Sequence, residues 1–130
     1  MKEITVIAKN DVGSLAVVAE ALGNVGVNIE AISAYEKDNQ AFFRILTNDA
    51  TTTMKAIGKI AGMRATESDI ILIELSNRPG ELGKITRKLA NKDVNLESLY
   101  IVGKKNDVTE VAIRPAKTDF EKARNAIGMK

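Results

Sequence analysis

Ile4, Val6 and Ala8 alternate with Thr5, Ile7 and Lys9 at the start of the chain, a period of two that predicts a strand. Ile71, Ile73 and Leu75 open a second strand in the same way. Each is followed at once by a turn signal, Asn10-Asp11-Val12-Gly13 or Asn77-Arg78-Pro79-Gly80. The apolar period then changes: Leu15, Val18, Leu22 and Leu82, Ile85, Leu89 recur at the spacing of one helical face. Apolar and β-branched residues resume at Val27 to Ile32 and at Val94 to Ile101. Polar turns at Asp38-Asn39-Gln40 and Lys104 to Asp107 lead from there to further strands near 41–47 and 108–114. A last helical pattern closes each half, through Met54, Ile57, Ala61 and through Phe120, Ala123, Ile127. Thr51 to Thr53 and Thr118-Asp119 are the expected N-caps, and Gly62 and Gly128 the expected ends.

The two halves are copies. Shifted by 67 positions, Ile4 to Lys37 falls on Ile71 to Lys104, with identities that include Asn10/Asn77, Gly13/Gly80, Leu15/Leu82, Asn28/Asn95, Glu30/Glu97 and Lys37/Lys104. So long a period indicates two copies of one small domain, with expected bounds 1–68 and 69–130. The order strand, helix, strand, strand, helix, with room for a closing strand near 63–68, predicts an α+β fold. It is a pair of ferredoxin-like βαββαβ repeats, each an antiparallel sheet with its helices on one face. After Gly128 too little chain remains for a second closing strand, so the strand at 70–76 is expected to have an open side. That edge is predicted to be covered by the segment 63–76 or by a partner chain.

Composition narrows the chemistry. Of 130 residues, 45% are hydrophobic and 28% charged, the balance of an ordinary globular protein. There is no Cys and no His, which removes disulfides, thiolate nucleophiles, imidazole bases and the usual zinc sites. No Asp-rich loop suggests a hard-cation site, and no cofactor is expected. A net charge of +2 gives no case for nucleic acid. The apolar run after Met1 is too short for a signal peptide or a membrane span, so a cytoplasmic location and no membrane partner are the expectation.

The stretch Ile71-Leu72-Ile73-Glu74-Leu75-Ser76-Asn77-Arg78-Pro79-Gly80-Glu81-Leu82, with Asp93-Val94-Asn95-Leu96 after it, resembles the ACT domain, a small regulatory module that binds amino acids. Lys9 to Leu15 with Gly26-Val27-Asn28-Ile29 is similar, without the proline. The resemblance implies a non-catalytic regulatory protein, with a small amino acid bound between modules and the signal passed to a metabolic enzyme or regulator. It implies ligand contacts at Asn10, Asp11, Val12, Gly13, Leu15, Asn28 and Ile29 in the first copy. In the second it implies Asn77, Arg78, Pro79, Gly80, Leu82, Asn95 and Leu96, with Asn10 paired to Asn95 and Asn77 to Asn28. The small subunit of acetolactate synthase contains a similar module, so a ligand-free regulatory subunit of an amino-acid biosynthetic enzyme is the alternative.

The loop residues suit a zwitterion in their own right. A glycine before a helix exposes backbone N–H groups where the helix dipole favours a carboxylate, and asparagine amides both donate and accept. The same residues have a structural reading, since Asn and Gly after a strand are ordinary turn and helix-start chemistry. Glu30 and Glu97 recur in both copies but have no second acid near them in sequence, so catalysis is not assigned. An RNA-recognition sheet would need aromatic residues that the second copy lacks at Val108 to Val111. Neither loop resembles the phosphate cradle of acylphosphatases, and no GxGxxG or Walker loop occurs. Between Ser14 and Asn24 the one charged residue is Glu20, whereas the matching helix carries Lys84, Arg87, Lys88 and Lys92. The first helix is therefore expected to be covered on more than one side, by the other copy or by a second chain, which points to a homodimer.

Overall fold

A computed structural model describes residues 1–128. The chain divides into two compact units, Met1–Asp69 and Ile70–Lys130. In the first, β1 (Lys2–Lys9), α1 (Ser14–Asn24), β2 (Ala31–Lys37), β3 (Gln40–Thr47), α2 (Ala50–Gly58) and β4 (Arg64–Asp69) follow in order. They form an antiparallel sheet with strand order β2-β3-β1-β4. In the second, β5 (Ile71–Ser76), α3 (Glu81–Asn91), β6 (Leu96–Lys105), β7 (Val108–Pro115), a 3-10 turn (Lys117–Asp119) and α4 (Phe120–Ala126) give a three-stranded sheet, β5-β7-β6. This is the ferredoxin-like plan twice over, with the last strand absent from the second unit among the described residues.

Each unit has its own core. Ile4, Val6 and Ala8 meet Val18, Leu22, Phe43, Ile45 and Ile57, and Ile71 meets Leu89, Val111, Ile113 and Ala123. The alternation read from the sequence sets the inward face of β1 and β5, and the three-four spacing sets the inward stripes of the helices. Phe43 lies in the core, and its neighbour Phe42, on the opposite face, stacks on Tyr35 at 5.3 Å between ring centroids. The first residue of each stripe behaves differently: Leu15 and Leu82 stay exposed at the loop end of their helices.

Several expectations are corrected. Asp49, not a threonine, caps α2 by accepting from the Thr52 backbone N–H at 3.1 Å, and Thr51 to Thr53 lie inside the helix. A carboxylate one turn upstream reaches those amides without distorting the helix. The helix ends at Gly58, so Ala61 lies beyond it, in the turn that closes at Gly62 with a positive φ of 82°. Asp119 stands at the N-cap of α4 with no cap bond, because its carboxylate is engaged elsewhere. Residues 64–69, part of the segment expected to cover the edge of β5, belong to the sheet of the first unit. They pair with β1, from Lys2↔Asp69 to Ile7↔Arg64, and complete the sheet of their own unit. Within the single chain, helix α1 buries one stripe, Val18 and Leu22, and leaves Val17 on its outer side 47% exposed.

The repeat also changes register. Val6 stands opposite Phe43 and Ile73 opposite Val111, so the third strands correspond at an offset of 68 rather than 67. The extra residue is a β-bulge in β6, where pairing slips between Ile101 and Gly103. Beyond the bulge, Lys105 faces Val108 as Lys37 faces Gln40, and Lys104 takes the place of Glu36.

Candidate functional site

Both first helices start in the same unusual way. Gly13 and Gly80 occupy the N-cap with φ of 93° and 87°, and neither helix has a side-chain cap. A Cβ at either position would meet nothing within 4 Å, so the positive φ, not crowding, calls for glycine. The first amide N–H groups of α1 and α3 are thus left without side-chain acceptors, unlike those of α2.

In the second unit this helix start borders a hollow of about 180 Å³. Its wall joins the end of β5 (Leu75, Ser76), the loop (Asn77, Arg78) and the start of α3 (Glu81, Leu82) to Ile101, Lys104, Thr109 and Val111 of the hairpin. The loop is tied down at two points. The Asn77 backbone N–H donates to the Asp107 carbonyl at 2.7 Å, and the Thr109 hydroxyl donates to the Asn77 side-chain oxygen at 3.2 Å. The Asn77 amide keeps its NH2 donors for another group. Arg78 pairs with Glu81 at 3.1 Å and Lys84 with the same carboxylate at 3.2 Å. The hydrogen bond from Lys84, with smaller help from Arg78, holds the Glu81 carboxyl below its ordinary range. Leu82 and Ile101, respectively 37% and 49% exposed, both face the hollow. No other large hydrophobic among the described residues of the second unit is as open to solvent.

Of the residues expected from the sequence, Asn77, Arg78 and Leu82 line this hollow, while Pro79 and Gly80 shape the loop beside it. Asn95 lies elsewhere in the unit: its backbone N–H donates to the Asp119 carboxylate at 2.9 Å and its carbonyl accepts from Ala116 at 2.8 Å. The hydrogen bond from Asn95 holds the Asp119 carboxyl below its ordinary range. Leu96 packs against the core. In the first unit Asn28 donates to Glu30 at 3.1 Å, Ile29 packs on the core, and Val12 is fully exposed in the loop with Asn10 and Asp11. Sequence reasoning missed Leu75, Ser76, Glu81, Ile101, Lys104, Thr109 and Val111. The alternation of β5 marks the face of Leu75, but Lys104 comes to that face through a bulge that no local pattern announces.

Among the described residues there is no cluster of metal ligands and no helix long and apolar enough to cross a membrane. No curated protein matches the chain. A solved structure of protein BT0572 from Bacteroides thetaiotaomicron matches with a TM-score of 0.84 at 26% identity, over 97% of this chain and 85% of that one. The ligand-free regulatory subunit of aspartate kinase from Thermus thermophilus matches with a TM-score of 0.69 at 18% identity, over 97% and 89%. Its counterpart from Thermus flavus gives 0.65 at 20% identity, over the same shares. The two aspartate kinase subunits share the fold. The family described as the ACT domain pair matches residues 1–128, the whole described chain, and this protein belongs to it.

Proposed function

We propose that this ACT domain pair is a non-catalytic regulatory protein that binds a small free amino acid in the hollow of the second unit and passes the signal to a metabolic enzyme or regulator. The observation that carries the reading is the hollow itself. It brings a helix start without a side-chain cap, an asparagine amide held by Thr109 and a lysine around an apolar floor. The helix start, the asparagine NH2 and the lysine suit a carboxylate, and the apolar floor suits a short side chain. A ligand that favours one arrangement of the protein shifts the population towards it, and a partner responds to the shift. The test is a thermal-shift panel of the twenty amino acids. A true ligand at about 100 times its Kd adds roughly 2.7 kcal/mol of stability, and a panel without any shift refutes the reading.

A second reading, a ligand-free subunit that docks on an enzyme, draws on the exposed outer side of α1, where Ala16, Val17 and Ala19 are open to solvent. We assign that side to a second copy of the chain. An enzyme recovered with the protein, together with a flat amino-acid panel, would favour docking instead.

A further inference from the structure

The residues that build the hollow are replaced one by one in the first unit. With the register corrected for the bulge, Ala41 stands where Thr109 is, so no hydroxyl is available there to hold Asn10 as Thr109 holds Asn77. Phe43 stands at the place of Val111, and its buried ring takes up volume that the smaller valine leaves open. Ala8 and Ala34 replace Leu75 and Ile101, which removes the apolar wall.

The charges reverse as well. Asp11 occupies the place of Arg78 and Glu36 that of Lys104. Lys104 stands directly opposite Thr109, whose other neighbour is Leu75, so directly paired residues put it on the face that lines the hollow. The bulge at Ile101–Gly103 produces this placement: one extra residue turns every following side chain to the opposite face. Without it Gly103 would stand opposite Thr109, and Lys104 would fall on the other face. Arg78 is already neutralised by Glu81, whereas Lys104 has no ion-pair partner among the described residues.

We infer that the pair is functionally asymmetric: the second unit alone binds, it takes one aliphatic α-amino acid of the leucine, isoleucine or valine type, and Lys104 holds the carboxylate. The inference rests on the amino-acid reading above and narrows it. One uncommitted cation matches one carboxylate. The side chain then meets Leu75, Leu82, Ile101 and Val111, where a second charge would lose its hydration without gaining a partner. In the first unit Glu36 at the matching place repels a carboxylate.

Isothermal titration of the full chain with L-leucine, L-isoleucine and L-valine tests this, with L-aspartate, L-lysine and leucine amide as controls. The expected result is one aliphatic amino acid per chain, no binding of leucine amide, and little or no binding of the charged pair. Lys104→Glu and Lys104→Gln should each weaken binding by about 10- to 100-fold, the range for a lost bond to a charged group, with circular dichroism confirming that both fold. Glu36→Gln should change nothing. Two molecules per chain, unchanged affinity in both Lys104 variants, or equal binding of leucine amide would overturn the inference. A charged or aromatic amino acid bound in preference would also overturn it, yet leave the amino-acid reading standing. No binding by any of the twenty removes both.

Discussion

Thr109 and Asn77 lie 32 residues apart and are joined by one hydrogen bond, the Thr109 hydroxyl to the Asn77 side-chain oxygen at 3.2 Å. The bond links the strand that floors the hollow to the loop that rims it, and with the Asn77 backbone bond to Asp107 it fixes where the amide sits. Thr109→Val keeps the shape of the buried side chain and removes the donor, so it should cost about 0.5–1.5 kcal/mol. A double-mutant cycle with Asn77→Ala should return a coupling of about 1 kcal/mol in urea denaturation. Zero coupling would mean that the contact does not hold the loop.

Two glycines of the same helix start should respond to alanine with opposite signs. Gly80 has φ of 87°, and Gly83 lies inside α3 with ordinary helical geometry; at neither would a new Cβ meet an atom within 4 Å. The difference is then conformational alone. Gly80→Ala should cost about 1–2 kcal/mol because an L residue is strained at positive φ. Gly83→Ala should gain about 0.5–1 kcal/mol through helix propensity. Equilibrium unfolding of the two variants checks both signs, and a neutral Gly80→Ala would show that the loop relaxes to another conformation.

The elements and their inward faces were legible because each rests on a local period: Ile4, Val6, Ala8 for a strand, and Val18, Leu22 or Ile85, Leu89 for a helix. The family was legible because the Asn-Gly loop and the Val-Asn pair sit at fixed spacing in both copies. What could not be read was the change of register. Lys37 and Lys104 are identical at the offset of 67, yet the bulge makes Lys105 the structural counterpart of Lys37. A bulge adds one residue without altering composition or period enough to show. The hairpin residues of the hollow were missed for that reason, since Thr109 and Lys104 reach it only in the shifted register. The Asp49 cap was missed for another, because three threonines follow it and each is itself a good cap.

Acid should loosen the second unit through Asp119. Its carboxylate accepts the Asn95 backbone N–H, which ties the start of α4 to the loop before β6, and this bond holds its pKa below the unfolded value. A depressed folded pKa means the contribution is fully present above the unfolded value, about 3.9 for aspartate. It is lost as pH falls through the lower folded value. Asp119→Ala should lower the thermal midpoint at pH 7 and make the decline between about pH 4 and pH 2 shallower than in the parent. Parallel acid titrations by circular dichroism would show it, and identical slopes would assign the acid sensitivity to other carboxylates.

Val17 gives the test of assembly. It sits on the outer side of α1, 47% exposed, beside Ala16 and Ala19, which are also exposed. The matching residue of α3 is Lys84, whose side chain is 71% exposed and paired with Glu81. The fold therefore accepts a lysine at this place, and Val17→Lys should leave the chain folded. If a second copy covers α1, each valine buried in the contact contributes up to about 1.5–3 kcal/mol of hydrophobic stabilisation, and the substitution replaces it with a charge facing its own symmetry mate. Sedimentation equilibrium should then show a parent dimer and a Val17→Lys monomer, with thermal stability that no longer rises with protein concentration. Equal masses and equal concentration dependence would place the apolar side of α1 outside any self-association.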